Sequence, residues 1–165
     1  MKNKIKSFLK EILLFIATLI IISNLISYYK STELSKEKLD IKSLVLIDGT
    51  TYNIAKDKAI LVHFWGTWCP ICKVEASNID LISKEYEVIS IAVDSKDNAN
   101  IQKYLKNNGV NYKVHNDTSS KYSKKYNIQV YPTTFIYDKN MNLVFTEVGY
   151  TSTLGLKLRM WWANL

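Results

Sequence analysis

The sequence predicts an α/β fold, a mixed sheet flanked by helices, behind one N-terminal transmembrane helix. Three observations carry that prediction. An uncharged apolar run fills Ile12 to Tyr29. Strand-length apolar runs then alternate with segments of helical period, and a hairpin and a last helix close the chain. At 165 residues and 47% hydrophobic content, the chain holds one ordinary core, so one domain plus an accessory segment is expected.

The run ILLFIATLIIISNLISYY has 18 residues, enough for about 27 Å of helix against roughly 30 Å of hydrocarbon. Lys2, Lys4, Lys6 and Lys10 precede it and mixed charges follow. The positive-inside rule therefore puts residues 1–11 in the cytoplasm as a basic tail, 12–29 in the membrane as an anchor, and the rest outside. A cleaved signal peptide fits less well, because the run is long and lacks an A-x-A-like site. A buried core helix fits less well still, since no polar face interrupts it. Of the formal charge of +7, residues 1–30 carry +4, and the sole arginine is Arg159. A nucleic-acid partner loses its main support on that distribution.

Residues 30–42 are polar, free of Gly and Pro, and read as a linker, with the domain proper at 43–165. LVLIDGTTYNI places two β-rich runs around Asp48-Gly49, a hairpin signal. Ala59 to Gly66 (AILVHFWG) is a continuous apolar run, as for a strand covered on both faces. Pro70 suits the first turn of a helix running to about Lys84. On that helix Lys73, Ser77, Asp80 and Lys84 form a polar stripe, and Cys72, Glu75, Ile79 and Ile82 lie opposite. Val88 to Val93 is a second buried strand, and a helix with Ile101, Tyr104 and Leu105 inward ends at Asn108-Gly109. A weak strand near Tyr112 to His115 and a short helix near Ser119 to Tyr126 come next. TTFIYD after Pro132 pairs through the Lys139-Asn140 turn with NLVFTEVGY. Ser152 to Asn164 reads as an amphipathic helix with Leu154, Leu158, Trp161 and Trp162 on its apolar face.

Cys69 and Cys72 are the only cysteines. As a staple the pair is poorly placed, since closing so short a loop gives roughly 2 kcal/mol against about 4.7 for a hundred residues. As chemistry it is well placed. Cys69 falls at a helix N-cap, where unpaired N–H groups and the positive dipole end favour a thiolate, and only the thiolate attacks a disulfide. Cys72, one turn on and more buried, is the resolving thiol. Half of a zinc site is the alternative for C-x-x-C, but His63 and His115 are far apart and His63 lies inside a strand.

WGTWCPIC behind a buried strand, with YPTTF some 60 residues later, resembles the thioredoxin fold in its membrane-anchored, exported branch, the TlpA-like thiol-disulfide oxidoreductases. The resemblance covers about residues 43 to 163. The ending GYTSTLGLKLRMWWA is similar to the subgroup called suppressor of copper sensitivity protein D. The resemblance implies a thioredoxin-like sheet and a cis-proline at Pro132 that turns the Tyr131 backbone toward Cys69. It also implies a buried acid at Glu75 handling the Cys72 proton, although the family's usual proline shortly after that Glu is missing and a merely structural carboxylate stays open. Trp65 and Trp68 match the tryptophans flanking the motif. Trp68, Pro70, Ile71, Tyr131 and Pro132 are the expected substrate contacts.

The sequence thus points to an extracytoplasmic protein thiol-disulfide oxidoreductase, a reductase rather than an oxidase, in a bacterial inner membrane with its domain on the periplasmic side. It is expected to need no cofactor beyond the Cys69–Cys72 pair and no metal. Its expected partners are exported proteins bearing thiols or disulfides and a membrane electron donor or acceptor. Two alternatives remain: a copper or zinc binding module using both cysteines and a histidine, and a cytochrome c maturation reductase.

Overall fold

The structure is a computed structural model describing residues 2–55 and 57–165, without side-chain detail for 2–5. The expected cytoplasmic position of Met1 lies outside the described residues. Helix α1 spans Lys2–Ser31, and Lys6–Ser31 is long and apolar enough to cross a membrane. Its apolar side chains from Phe8 to Tyr29 are exposed. The exception is Ser27, whose hydroxyl accepts the Val148 N–H at 2.9 Å.

Strands β1 (Ser43–Val45) and β2 (Thr51–Asn53) form the expected hairpin. Gly49 takes φ +85°, Asp48 accepts the Thr50 N–H, and Leu46 bonds back to Thr50 across the turn. The main sheet contains β3 (Ile60–Trp65), β4 (Glu87–Val93), β5 (Val114–Asp117), β6 (Thr133–Tyr137) and β7 (Leu143–Val148) in the order β5-β4-β3-β6-β7. The β3–β4 and β4–β5 pairs are parallel, β3–β6 and β6–β7 antiparallel. Every residue of β3 is buried, the reason its sequence is apolar on both faces apart from His63.

Helices α2 (Pro70–Ser83), α3 (Asn98–Asn108), α4 (Lys121–Lys125) and α5 (Thr153–Ala163) complete the fold. Asp97 caps α3 at its start and Gly109, at φ +63°, ends it. One core lies between the sheet and α2, α3 and α5, around Leu61, Trp65, Ile79 and Met160. A second covers the other face, around Phe64, Tyr126, Phe135 and Tyr137.

Three local expectations change. The segment expected as a linker lies on the domain: Leu34, Leu39 and Ile41 are buried in the second core, Ser35 N–H bonds Tyr126 O, and Leu39 N–H bonds Met141 O. Three apolar side chains spaced along a polar stretch join Leu44, Ile54, Tyr126 and Ile128 in covering that sheet face. On α2, Asp80 belongs to the expected polar stripe yet is buried, because it accepts the Asn111 N–H at 2.7 Å and pairs with Lys84. On α5 the packed stripe is Leu156, Met160 and Ala163, while Leu154, Leu158, Trp161 and Trp162 face outward. This helix is apolar on two sides, so period alone does not choose the inner one.

Candidate active site

The site is built where β3 ends and α2 begins. Gly66 follows the strand because Trp68 folds back over it. A Cβ at Gly66 would lie 2.6 Å from the Trp68 ring. Trp68 Nε1 donates to Val93 O at 3.1 Å, and its ring meets Tyr131 edge-on at 5.3 Å. Ser95 receives the Thr67 N–H, and the Asn100 side chain donates to Thr67 Oγ1 and Ser95 O. The loop carrying the first cysteine is thus fastened to the end of β4 and the start of α3.

Cys69 is the N-cap of α2, with φ −90° and ψ 114°, and its Sγ accepts the Cys72 N–H at 3.1 Å. A thiolate there receives a main-chain donor and faces the positive end of a 14-residue helix. Cys72 is bonded to Cys69, with Cα atoms 5.3 Å apart. Both are buried, Cys72 at 1% exposure and Cys69 at 5%, so the outer sulfur is the one a visitor reaches. Its neighbour Trp68 and, two residues on, Ile71 are exposed apolar side chains.

The Tyr131–Pro132 peptide bond is cis, and Tyr131 O lies 3.7 Å from Cys69 Sγ. Pro132 O accepts the Gly149 N–H, tying this loop to β7. All five expected substrate contacts therefore come together: Trp68, Pro70 and Ile71 on the α2 side, Tyr131 and Pro132 across the sulfur. Trp65, by contrast, is a core residue, 1% exposed and packed on Tyr104 and Tyr112.

Glu75 lies one turn past Cys72 on the same buried face, fully enclosed. Oε1 accepts the Thr151 N–H at 2.8 Å, and Oε2 has no hydrogen-bond partner. Burial pushes its carboxyl up to about 8, with the Glu147 charge adding to the rise and the Thr151 N–H opposing it. A carboxyl in that range exchanges protons near neutral pH. Among the described residues no three His, Cys, Asp or Glu side chains converge as metal ligands. His63 is buried with Nδ1 2.9 Å from Thr134 Oγ1, and His115 Nδ1 lies against Val45 O. Gly66, Thr151, Glu147 and Arg159 were not legible as site residues, since each acts through a contact that only the folded chain creates.

A five-stranded sheet of this order with a disulfide-paired C-x-x-C at a helix N-terminus, opposite a cis-proline, defines a thioredoxin-like thiol-disulfide oxidoreductase. The chain belongs to the AhpC/TSA family, which matches residues 38–146. A "Thioredoxin-like protein" of Haemophilus influenzae is 33% identical over 98% of both chains. "Thiol-disulfide oxidoreductase ResA" of Bacillus thuringiensis is 28% identical over 72% of this chain, which spans 64% of that relative. Among solved structures, an exposed lipoprotein thioredoxin from Streptococcus pneumoniae is 28% identical with a TM-score of 0.62, covering 72% of this chain and 96% of that one. A thiol:disulfide interchange protein from Chlorobium tepidum is 26% identical with a TM-score of 0.65, covering 78% and 98%.

Proposed function

We propose that this chain is a membrane-anchored reductase of protein disulfides, held by residues 12–29 in a bacterial inner membrane with its domain on the periplasmic side. The observation that supports the reading best is Cys69 at the start of α2, its sulfur bonded by a main-chain N–H and its neighbour Trp68 exposed.

With the pair reduced, the Cys69 thiolate attacks one sulfur of a substrate disulfide. A Cys69–substrate bond forms, the substrate S–S bond breaks, and the departing thiolate takes a proton from water. Glu75 then removes the Cys72 proton, and the Cys72 sulfur attacks Cys69 Sγ. The Cys69–Cys72 bond forms and the mixed disulfide breaks; the second substrate thiolate takes a proton from water and Glu75 gives up its own to water, so two electrons pass to the substrate, which leaves as two thiols. Trp68, Ile71 and the Tyr131 carbonyl border the place where an extended substrate segment lies. A dithiol partner in the same membrane returns two electrons to the pair.

In the test, purified protein with a dithiol reductant accelerates the reduction of insulin without added metal, and Cys69→Ser abolishes this. Cys72→Ser retains exported proteins as mixed disulfides on Cys69. Tight Cu(I) binding without either activity would instead identify a metal carrier.

A further inference from the structure

The face of the sheet beneath α2 is not uniformly apolar. One row across it is polar: Ser90 on β4, His63 on β3, Thr134 on β6 and Glu147 on β7 are successive cross-strand partners. The first three are buried. The row ends at Glu147, whose Oε1 lies 2.6 Å from Arg159 Nε. Arg159 also donates through Nη1 to Gly155 O at 3.0 Å, which fixes it along α5. Four residues past Glu147, the Thr151 N–H holds Glu75 Oε1, while Glu75 Oε2 is left without a partner.

The region under α2 thus contains two carboxyl groups and one guanidinium. The three groups are electrically neutral together when one carboxyl carries a proton, and the pairing of Glu147 with Arg159 leaves Glu75 as that one. Ionising Glu75 leaves an uncompensated negative charge in a place shut off from water, an expensive state. The other groups facing this region do not supply a cation. His63 is held neutral by burial, its imidazole lowered to about 3. The Tyr112 phenol is pushed above its ordinary value, chiefly by burial and then by Tyr104, Asp80 and Glu75 in falling order, and Tyr104 is likewise raised by burial. On α2, Asp80 is paired with Lys84, and Cys72 is the redox sulfur.

We propose that Glu147, fixed by Arg159, is a positioning residue for the redox reaction: its charge strengthens the hold of the Glu75 carboxylate on a proton, so that Glu75 can take the one from Cys72, one turn away, without Glu147 touching the reacting atoms. The inference rests on the proton-handling role proposed for Glu75. Burial places the Glu147 carboxyl itself above the usual range, with Arg159 working against that rise. The Glu147 charge in turn adds to the rise that burial produces at Glu75.

Two readouts on the full chain test this. The first is the rate at which Cys72 resolves a mixed disulfide with a small aromatic disulfide, followed from pH 5 to 10. The second is the 13C shift of the Glu75 carboxyl over the same range. Glu147→Gln removes the anion and frees Arg159 to face Glu75, so both midpoints fall by roughly one pH unit or more, the size one nearby charge produces at an effective dielectric constant near 20. Glu147→Asp, which keeps the anion, restores the parent midpoint. Arg159→Gln moves the midpoints upward and carries the test should Glu147→Gln fail to fold. Unchanged midpoints in Glu147→Gln, or in Arg159→Gln where that variant stands alone, overturn the inference. Glu75→Gln separates the two layers. Should it leave the parent pH profile intact, the role of Glu75 fails and this inference with it. Should it remove the pH step while Glu147→Gln shifts nothing, only the inference falls.

Discussion

At Cys69 the sulfur's surroundings are main-chain groups: it accepts the Cys72 N–H and lies 3.7 Å from the Tyr131 carbonyl oxygen. The helix start that creates the first was legible, because an apolar strand, a short loop and a proline leave the chain little choice but to begin α2 there. In the reduced protein, Cys69 is expected to titrate below the roughly 8.5 of free cysteine. Thiolate absorbance in the ultraviolet against pH measures this, and a midpoint at or above that value contradicts it. The constraint at Gly66 is steric. Gly66→Ala puts a methyl into the Trp68 ring, so Trp68 must leave its bond to Val93 O. The expected results are altered tryptophan fluorescence and slower reaction with protein disulfides, with little change toward a small disulfide. Nothing in the sequence marks Gly66 beyond its being a glycine at a strand end, since its constraint comes from a ring that lies over it only once the loop is folded.

At the scale of elements, the short α4 shows how much one side chain can hold. Asp117 ends β5 and accepts three main-chain N–H groups, from Lys121 at 2.8 Å, Tyr122 at 2.9 Å and Ser123 at 3.0 Å. These are donors that a helix start leaves unpaired. Asp117→Ala orphans them, the Ser123 N–H in a buried place, and a loss of about 1–3 kcal/mol is expected, read as a lowered Tm. Gly109→Ala at the end of α3 is different. No atom lies within 4 Å of its would-be Cβ, so only the left-handed backbone matters and the cost is about 1 kcal/mol. The end of α3 was legible, as Asn108-Gly109 is a local signal. The inner face of α5 was not, because Leu154, Leu158, Trp161 and Trp162 make as good a stripe as Leu156, Met160 and Ala163. Only the shape of the sheet beneath decides between them.

For the whole molecule, two buried titratable groups set opposing dependences on pH. His63 is lowered from 6.5 to about 3, so between those values the unfolded chain binds more protons and stability rises with pH. Glu75 is raised from 4.5 to about 8, so across that window the folded chain binds more protons and stability falls as pH rises. The two offset each other from about 4.5 to 6.5, where a plateau is expected, with a decline above it that Glu75→Gln removes. Denaturant midpoints at a series of pH values check this; a stability that climbs through about pH 8 contradicts it. The succession of strands and helices and the position of the redox pair were legible because strand runs and the Cys-Pro-Ile-Cys turn are local. The fastening of residues 34–41 was not, since Leu34, Leu39 and Ile41 look like strays until β6 and β7 lie under them. The same fastening bears on biosynthesis. Leu39 bonds Met141, and Ser27 bonds Val148, so some of the earliest residues translated are completed by some of the last. At roughly 5–20 residues per second the interval is on the order of ten seconds. Throughout it the nascent chain holds three greasy side chains with nowhere to go, the period in which a holding chaperone matters most.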